Sequence, residues 1–255
     1  MVRVALHLGH GVIIVAFAFP FLGGSHRADR IQRWSAQLLR VLAIDLEAEG
    51  PPPAASTPAL LAANHVSWLD PFVINAVRPV QFVAKSEVAH WPVIGWLAKH
   101  AGTLFVVRNR RHHTAQVNQL VAAAMRSGAV FAVFPEGTTT DGSRVLSFHA
   151  SLLQPALESE APLMPAALRY LRVDGSLCTE AAYDGDKSVF DTLLSMVSLP
   201  RIRVQLKFLP PLPSIDHPHR RELAAAAQRA IASALHLDVA NTRNETTADP
   251  RAATR

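Results

Sequence analysis

The stretch "LLAANHVSWLDP" (residues 60–71) decides how the chain is read. Its first four residues are apolar without alternation, as expected of a strand buried on both faces in a parallel sheet. Asn64, His65, Ser67 and Asp70 then fall where that strand would end. Asp70-Pro71 has the form of a helix N-cap followed by proline at the first helical position. His65 and Asp70, five apart, are too distant to be neighbours on a helix face. With His65 on the turn and Asp70 opening the helix, the carboxylate can accept a hydrogen bond from one ring nitrogen. The other nitrogen is then left to take a proton from a hydroxyl.

Moving outward, "ALLAAN" (59–64), "QFVA" (81–84), "TLFVV" (103–107), "AVFAVF" (129–134) and "LMPAAL" (163–168) predict short buried strands. Helical stretches near 71–78, 92–100, 111–127 and 148–158 separate them. This alternation predicts an α/β fold, with a largely parallel central sheet and helices on both faces. "RIRVQLKFL" (201–209) alternates strictly and predicts a half-exposed strand near an edge. An alanine-rich helix is expected over about 217–236, and a polar, aperiodic, disordered tail over 238–255.

Before the first strand lies "VALHLGHGVIIVAFAFPFL" (4–22). As a helix it would reach roughly 28 Å, just short of a ~30 Å hydrocarbon core. His7, His10, two glycines and Pro20 interrupt it. It reads as a membrane anchor, with a cleaved signal peptide as the alternative, given Arg3 before it and "GGS" behind. The next segment, "SHRADRIQRWSAQLLRVLAI" (25–44), predicts an amphipathic helix with Ile31, Trp34, Leu38 and Val41 on one face. That face either lies at the membrane interface or packs on the domain. Arg27, Arg30 and Arg33 would keep this end on the cytoplasmic side. Residues 1–45 are thus expected to be membrane-associating helices, ahead of a domain over 46–237.

Composition narrows the partners. The 255 residues carry a formal charge of +5 with 49% hydrophobic and 18% charged residues, and arginine far outnumbers lysine. Anionic partners are favoured, and an oily, dispersed composition suits a membrane surface. No aromatic–basic interleave or recognition-helix motif stands out, which argues against nucleic acid. The single Cys178 excludes an intrachain disulfide framework and a cysteine-based zinc site. His112-His113 is the nearest approach to a metal-ligand cluster, and no metal is expected.

Ligands of parallel α/β sheets bind beyond the carboxyl ends of the strands. Three such ends carry polar clusters: "NHVSWLD", "VVRNRRHH" and "FPEGTTTDG". Their convergence is the functional signal. Arg108, at a strand end, suits bidentate pairing with phosphate. The tight Glu136-Gly137-Thr138 turn could offer backbone N–H groups and a hydroxyl to an anionic oxygen.

These motifs resemble the 1-acylglycerol-3-phosphate acyltransferase superfamily. "NHVSWLD" is similar to its His-x4-Asp motif, "GTLFVVR" (102–108) to its second block, "FPEGT" (134–138) to its third and "APLMPAAL" (161–168) to a degenerate fourth. The resemblance covers residues of about 30 to 212. It implies that His65 is the general base, Asp70 its orienting carboxylate, and Arg108 with Glu136, Gly137 and Thr138 the phosphate-binding set. It implies direct attack of a lipid hydroxyl on an acyl thioester, acyl carrier protein or coenzyme A as donor carrier, and no metal or bound cofactor. The place would be the cytoplasmic face of the inner membrane, with a membrane lipid as acceptor. Thr139 stands where the family often has arginine, and His149 where it usually has lysine or arginine. "FPEGTTTDGSRVLSFHASL" looks closer to the subgroup that acylates lyso-ornithine lipid, which becomes the alternative acceptor to 1-acyl-sn-glycerol-3-phosphate. From other classes, a non-catalytic lipid-binding protein and a hydrolase are weighed. The intact His65 and Asp70 argue against the first, and the lack of a G-x-S-x-G elbow against the second.

Overall fold

The computed structural model describes residues 1–54, 57–107, 111–185 and 187–239. Arg108 and the tail beyond Val239 lie outside the described residues. Two helices open the chain, α1 (Val2–Ile13) and α2 (Gly24–Val41). Seven strands then alternate with six helices: β1 (Ile44–Glu49), β2 (Ala59–Ala63), α3 (Asp70–Val77), β3 (Gln81–Lys85), α4 (Ile94–His100), β4 (Leu104–Val106), α5 (Arg111–Arg126), β5 (Val130–Val133), α6 (Gln154–Glu158), β6 (Leu163–Arg172), α7 (Val189–Val197), β7 (Ile202–Phe208) and α8 (Arg220–Leu235).

The strands form one sheet in the order β1-β7-β6-β2-β5-β3-β4. Only the β6–β7 pairing is antiparallel; β2 runs parallel to both β5 and β6. All five residues of β2 are buried, and they alternate between two cores. Leu61 and Ala63 face α2, α3 and α7 through Leu38, Ile74 and Met196. Leu60 and Ala62 face α5, α6 and α8 through Val121, Ala156 and Leu223. Burial on both sides is why this strand reads as a continuous apolar run rather than an alternation. The expected α/β architecture is present.

Three details depart from the expectations. The amphipathic helix ends at Val41, and "IDLEAE" continues as edge strand β1, pairing in parallel with β7. Its acidic residues meet a basic strand, with Arg201 bound to Asp45 at 2.8 Å and Lys207 to Glu49 at 3.4 Å. Strand β7 therefore lies next to the edge, with its alternate residues buried as expected. Helix α7 was not anticipated; Ser188 caps it through a reciprocal bond with Asp191. Val239, expected in the aperiodic tail, bridges to Val145.

The first two helices fold back on each other. Trp34 of α2 stacks on His7 of α1 at 4.6 Å and donates from Nε1 to the His7 carbonyl. Gly11 makes room for it: a Cβ there would stand 2.7 Å from Trp34 Nε1. The histidine and glycine that interrupt the apolar run thus form a helix–helix joint. Ile31, Trp34, Leu38 and Val41 pack inward, so of the two readings of that face the packed one holds. The exposed apolar face belongs to α1 and the turn after it, where Phe17 is 73% and Phe21 87% exposed.

Candidate active site

Strand β2 ends at Ala63, and the next four polar residues each have a distinct task. Asn64 extends the sheet with its side chain: Nδ2 donates to the Leu168 carbonyl and Oδ1 accepts from the Leu168 N–H. The chain is thereby held to β6 while its backbone turns away. His65 follows on the turn, its side chain 21% exposed. Its Nδ1 lies 2.8 Å from Oδ2 of the fully buried Asp70. An acceptor at that distance fixes the proton on Nδ1 and leaves Nε2 as the unprotonated nitrogen.

Asp70 is the first residue of α3, with Leu69 at the cap position and no side-chain cap bond. The expected N-cap role is absent because the carboxylate turns back into the preceding loop. Oδ2 accepts from the Val66 and Ser67 N–H groups at 2.7 and 2.9 Å. Oδ1 accepts from the Tyr170 hydroxyl at 2.7 Å. A buried carboxylate ringed by donors is held in a single orientation.

The loop after β5 grips the same turn. Glu136 accepts the His65 N–H at Oε1 (2.8 Å) and the Leu146 N–H at Oε2 (2.9 Å). The His65 carbonyl accepts from the Thr140 N–H at 2.9 Å. Parallel pairing of β2 with β5 brings these loops side by side at the carboxyl ends of their strands. The Glu136 carboxyl is buried at 4% exposure. Burial pushes its pKa up to about 7, against the opposing pull of the Leu146 and His65 N–H groups. Gly137 turns the chain at a φ of +69°, a conformation that suits glycine.

His65 opens onto a cavity of about 680 Å³. Gly137, Thr138, Thr139 and His149 line it near the histidine, and Trp68, Phe72, Phe82 and Leu97 make apolar wall. Ile14, Val15 and Phe19 of the first helical run complete it with Ile31 and Trp34 of α2. The volume falls in the ~300–1,000 Å³ range of small-molecule sites. Among the described residues no cluster of histidine, cysteine, aspartate and glutamate could hold a metal ion.

Of the anticipated residues, the fold brings together His65, Asp70, Glu136, Gly137 and Thr138. Gly137 and Thr138 face the cavity; Glu136 does not, because both its oxygens are engaged by backbone N–H groups. Arg108 lies outside the described residues. Thr139, where a cation was a family expectation, donates its hydroxyl to the Tyr183 carbonyl. The sequence reading missed Tyr170 and Phe134. Tyr170 is separated from Asp70 by 100 residues, beyond any local pattern.

A family model described as Acyltransferase matches residues 36–169. A lyso-ornithine lipid O-acyltransferase of Pseudomonas aeruginosa is 38% identical over 204 residues, covering 79% of this chain and 76% of that protein. A 1-acyl-sn-glycerol-3-phosphate acyltransferase of Neisseria meningitidis is 36% identical over 172 residues, 68% of this chain and 67% of that protein. The crystal structure of a 1-acyl-sn-glycerophosphate (LPA) acyltransferase from Thermotoga maritima superposes with a TM-score of 0.67 at 19% identity. It covers 91% of this chain and 93% of that one, a likeness of fold.

Proposed function

The chain belongs to the acyltransferase family, and we propose that it moves a fatty acyl group from a thioester donor to the free hydroxyl of a lysolipid at a membrane surface. The observation that carries this reading is the His65–Asp70 pair opening onto an apolar cavity.

In the proposed reaction, His65 Nε2 removes the acceptor hydroxyl proton as the oxygen attacks the thioester carbonyl. The tetrahedral adduct expels the thiolate, which recovers that proton from Nε2. Asp70 keeps the proton on Nδ1 and stabilises the imidazolium between the two transfers. No acyl-enzyme is needed. The donor is acyl carrier protein or coenzyme A thioester, with no metal or resident cofactor. Its acyl chain lies along the apolar wall, where each buried methylene contributes about 0.8 kcal/mol. Gly137 and Thr138, with Arg108, are assigned to the acceptor headgroup. Glu136 instead ties the catalytic turn to that loop.

Membrane seating is assigned to α1. The run Val2–Phe21 is apolar and long enough to cross a bilayer, yet it folds back onto α2 through Trp34. Its exposed Leu6, Phe17 and Phe21 would enter the lipid, next to the cavity that Val15 and Phe19 line. Arg27, Arg30 and Arg33 then favour the cytoplasmic face of the inner membrane.

The first acceptor is 1-acyl-sn-glycerol-3-phosphate, giving phosphatidic acid. Lyso-ornithine lipid is the second reading, favoured by the Thr139 side chain bonding Tyr183 in place of a cation. Thin-layer analysis of purified protein with labelled acyl-carrier protein and each lysolipid tests both. Label in neither product would end the proposal.

A further inference from the structure

We propose that Tyr170 is a positioning residue of the transfer reaction, its hydroxyl locking the Asp70 carboxylate in the orientation from which it steers His65. This rests on the reading of His65 as general base.

Tyr170 lies on β6, next to the strand that delivers the histidine, and it is fully buried among apolar side chains. A phenylalanine would fill the same volume. The hydroxyl is what the site uses: it donates to Asp70 Oδ1 at 2.7 Å. Oδ2 already accepts from the His65 ring and from two N–H groups, so Oδ1 would otherwise be a buried, unpaired carboxylate oxygen. Burial and the Asp70 charge hold the Tyr170 phenol well above its usual range, so it stays a donor at every working pH. The Ser67 side chain lies beside the same phenol. One carboxylate thus links three segments: the turn at 65–67, the start of α3 and the middle of β6.

The strength of the Tyr170 bond should set how strongly Asp70 accepts from His65 Nδ1–H. If Oδ1 loses its donor, the carboxylate pulls harder on the imidazole, which then holds its proton to higher pH. A stronger donor does the reverse. The other titratable groups around the dyad are Glu136 from the β5 loop, Cys178 behind Tyr170, and His149, Lys85 and Arg30 on the wall of the cavity that His65 enters. Tyr183 lines the same cavity, and its N–H donates to the Val66 carbonyl. None of these changes in the comparison below except Tyr183, which is changed equally in both arms of the second measurement.

The test is kcat against pH for the full-length enzyme. Tyr170→Phe should lower kcat at neutral pH by ~10-fold, leave both KM values within about twofold, and move the acid limb upward by roughly half a pH unit or more. Residue counts allow an isosteric second test, since the chain holds only two tyrosines. In a Tyr183→Phe background, 3,5-difluorotyrosine labels Tyr170 alone. Its more acidic phenol should move the limb downward relative to unlabelled protein of that background. Should Tyr170→Phe fail to fold, the fluorinated protein carries the test by itself. Limbs that stay put, or that move the same way in both comparisons, would overturn the role of Tyr170. His65→Ala is run alongside. Its retention of activity would defeat the base reading itself, whereas an inactive His65→Ala with unmoved limbs defeats only the Tyr170 inference.

Discussion

The His65 ring lies flat on Phe134, centroids 4.1 Å apart and planes 12° from parallel, and Phe134 in turn stacks on Phe82 at 6.0 Å. Asp70 fixes the ring by one nitrogen, and the stack fixes the plane in which the other can point. Phe134→Leu keeps an apolar wall but removes the flat support. We expect kcat to fall by about tenfold with a smaller change in KM, because small misplacements of a catalytic group are costly. Steady-state kinetics read this directly; an unchanged kcat would show that the hydrogen bond to Asp70 suffices.

Glu136 gives a prediction in pH. Its carboxyl is raised by burial from 4.5 to about 7, so the native state binds this proton more tightly than the unfolded chain. Its favourable contribution to stability is full below about 4.5 and is lost as pH rises through about 7, a change on the order of 3 kcal/mol. Glu136→Gln removes the titration and leaves one of the two backbone N–H groups facing an amide donor. The variant's stability should depend less on pH, so any deficit against the native protein should be largest at the acid end and shrink as pH rises through about 7. Urea unfolding at several pH values between 5 and 8 measures both; parallel curves for the two proteins would refute the assignment.

How much of this was legible in the sequence follows from the range of each interaction. Strand β2 and the five-residue spacing of His65 and Asp70 are local, and both appeared as read. The edge strand β1 was hidden because "IDLEAE" prolongs a helical pattern and owes its strand state to the basic strand β7, more than 150 residues later. Trp34 was legible as part of an apolar face, but what covers that face depends on Gly11 and His7 of another helix. Glu136 was singled out for a headgroup role that its exposed position in a glycine turn would have allowed. Only the fold shows that the β2 turn and Leu146 supply the N–H groups that occupy it.

The joint between α1 and α2 should limit the acyl chain. Gly11→Leu introduces atoms where even a Cβ stands 2.7 Å from Trp34 Nε1, next to cavity-lining Ile14 and Val15. The longest accepted donors should lose activity first, by about fourfold for each methylene that no longer fits. A panel of donors of graded length reads this. Equal loss across all lengths would instead indicate general disruption of the helical pair.

Membrane seating is separable from chemistry. Leu6→Asp with Phe17→Asp places two charges on the exposed face of the first helical run without touching the cavity residues. Partition onto anionic vesicles should fall at least ~100-fold, since each large apolar side chain contributes roughly 1.5–3 kcal/mol on burial. Activity on detergent-solubilised acceptor should persist. Undiminished sedimentation with vesicles would move the membrane contact elsewhere.

The central claim is that one imidazole nitrogen, freed by Asp70, takes the acceptor's proton. Single-turnover transfer by His65→Ala, with preformed acyl thioester and a lysolipid acceptor, tests it most directly. The account predicts a rate at least ~100-fold below wild type with vesicle binding intact. A rate near that of wild type would contradict it.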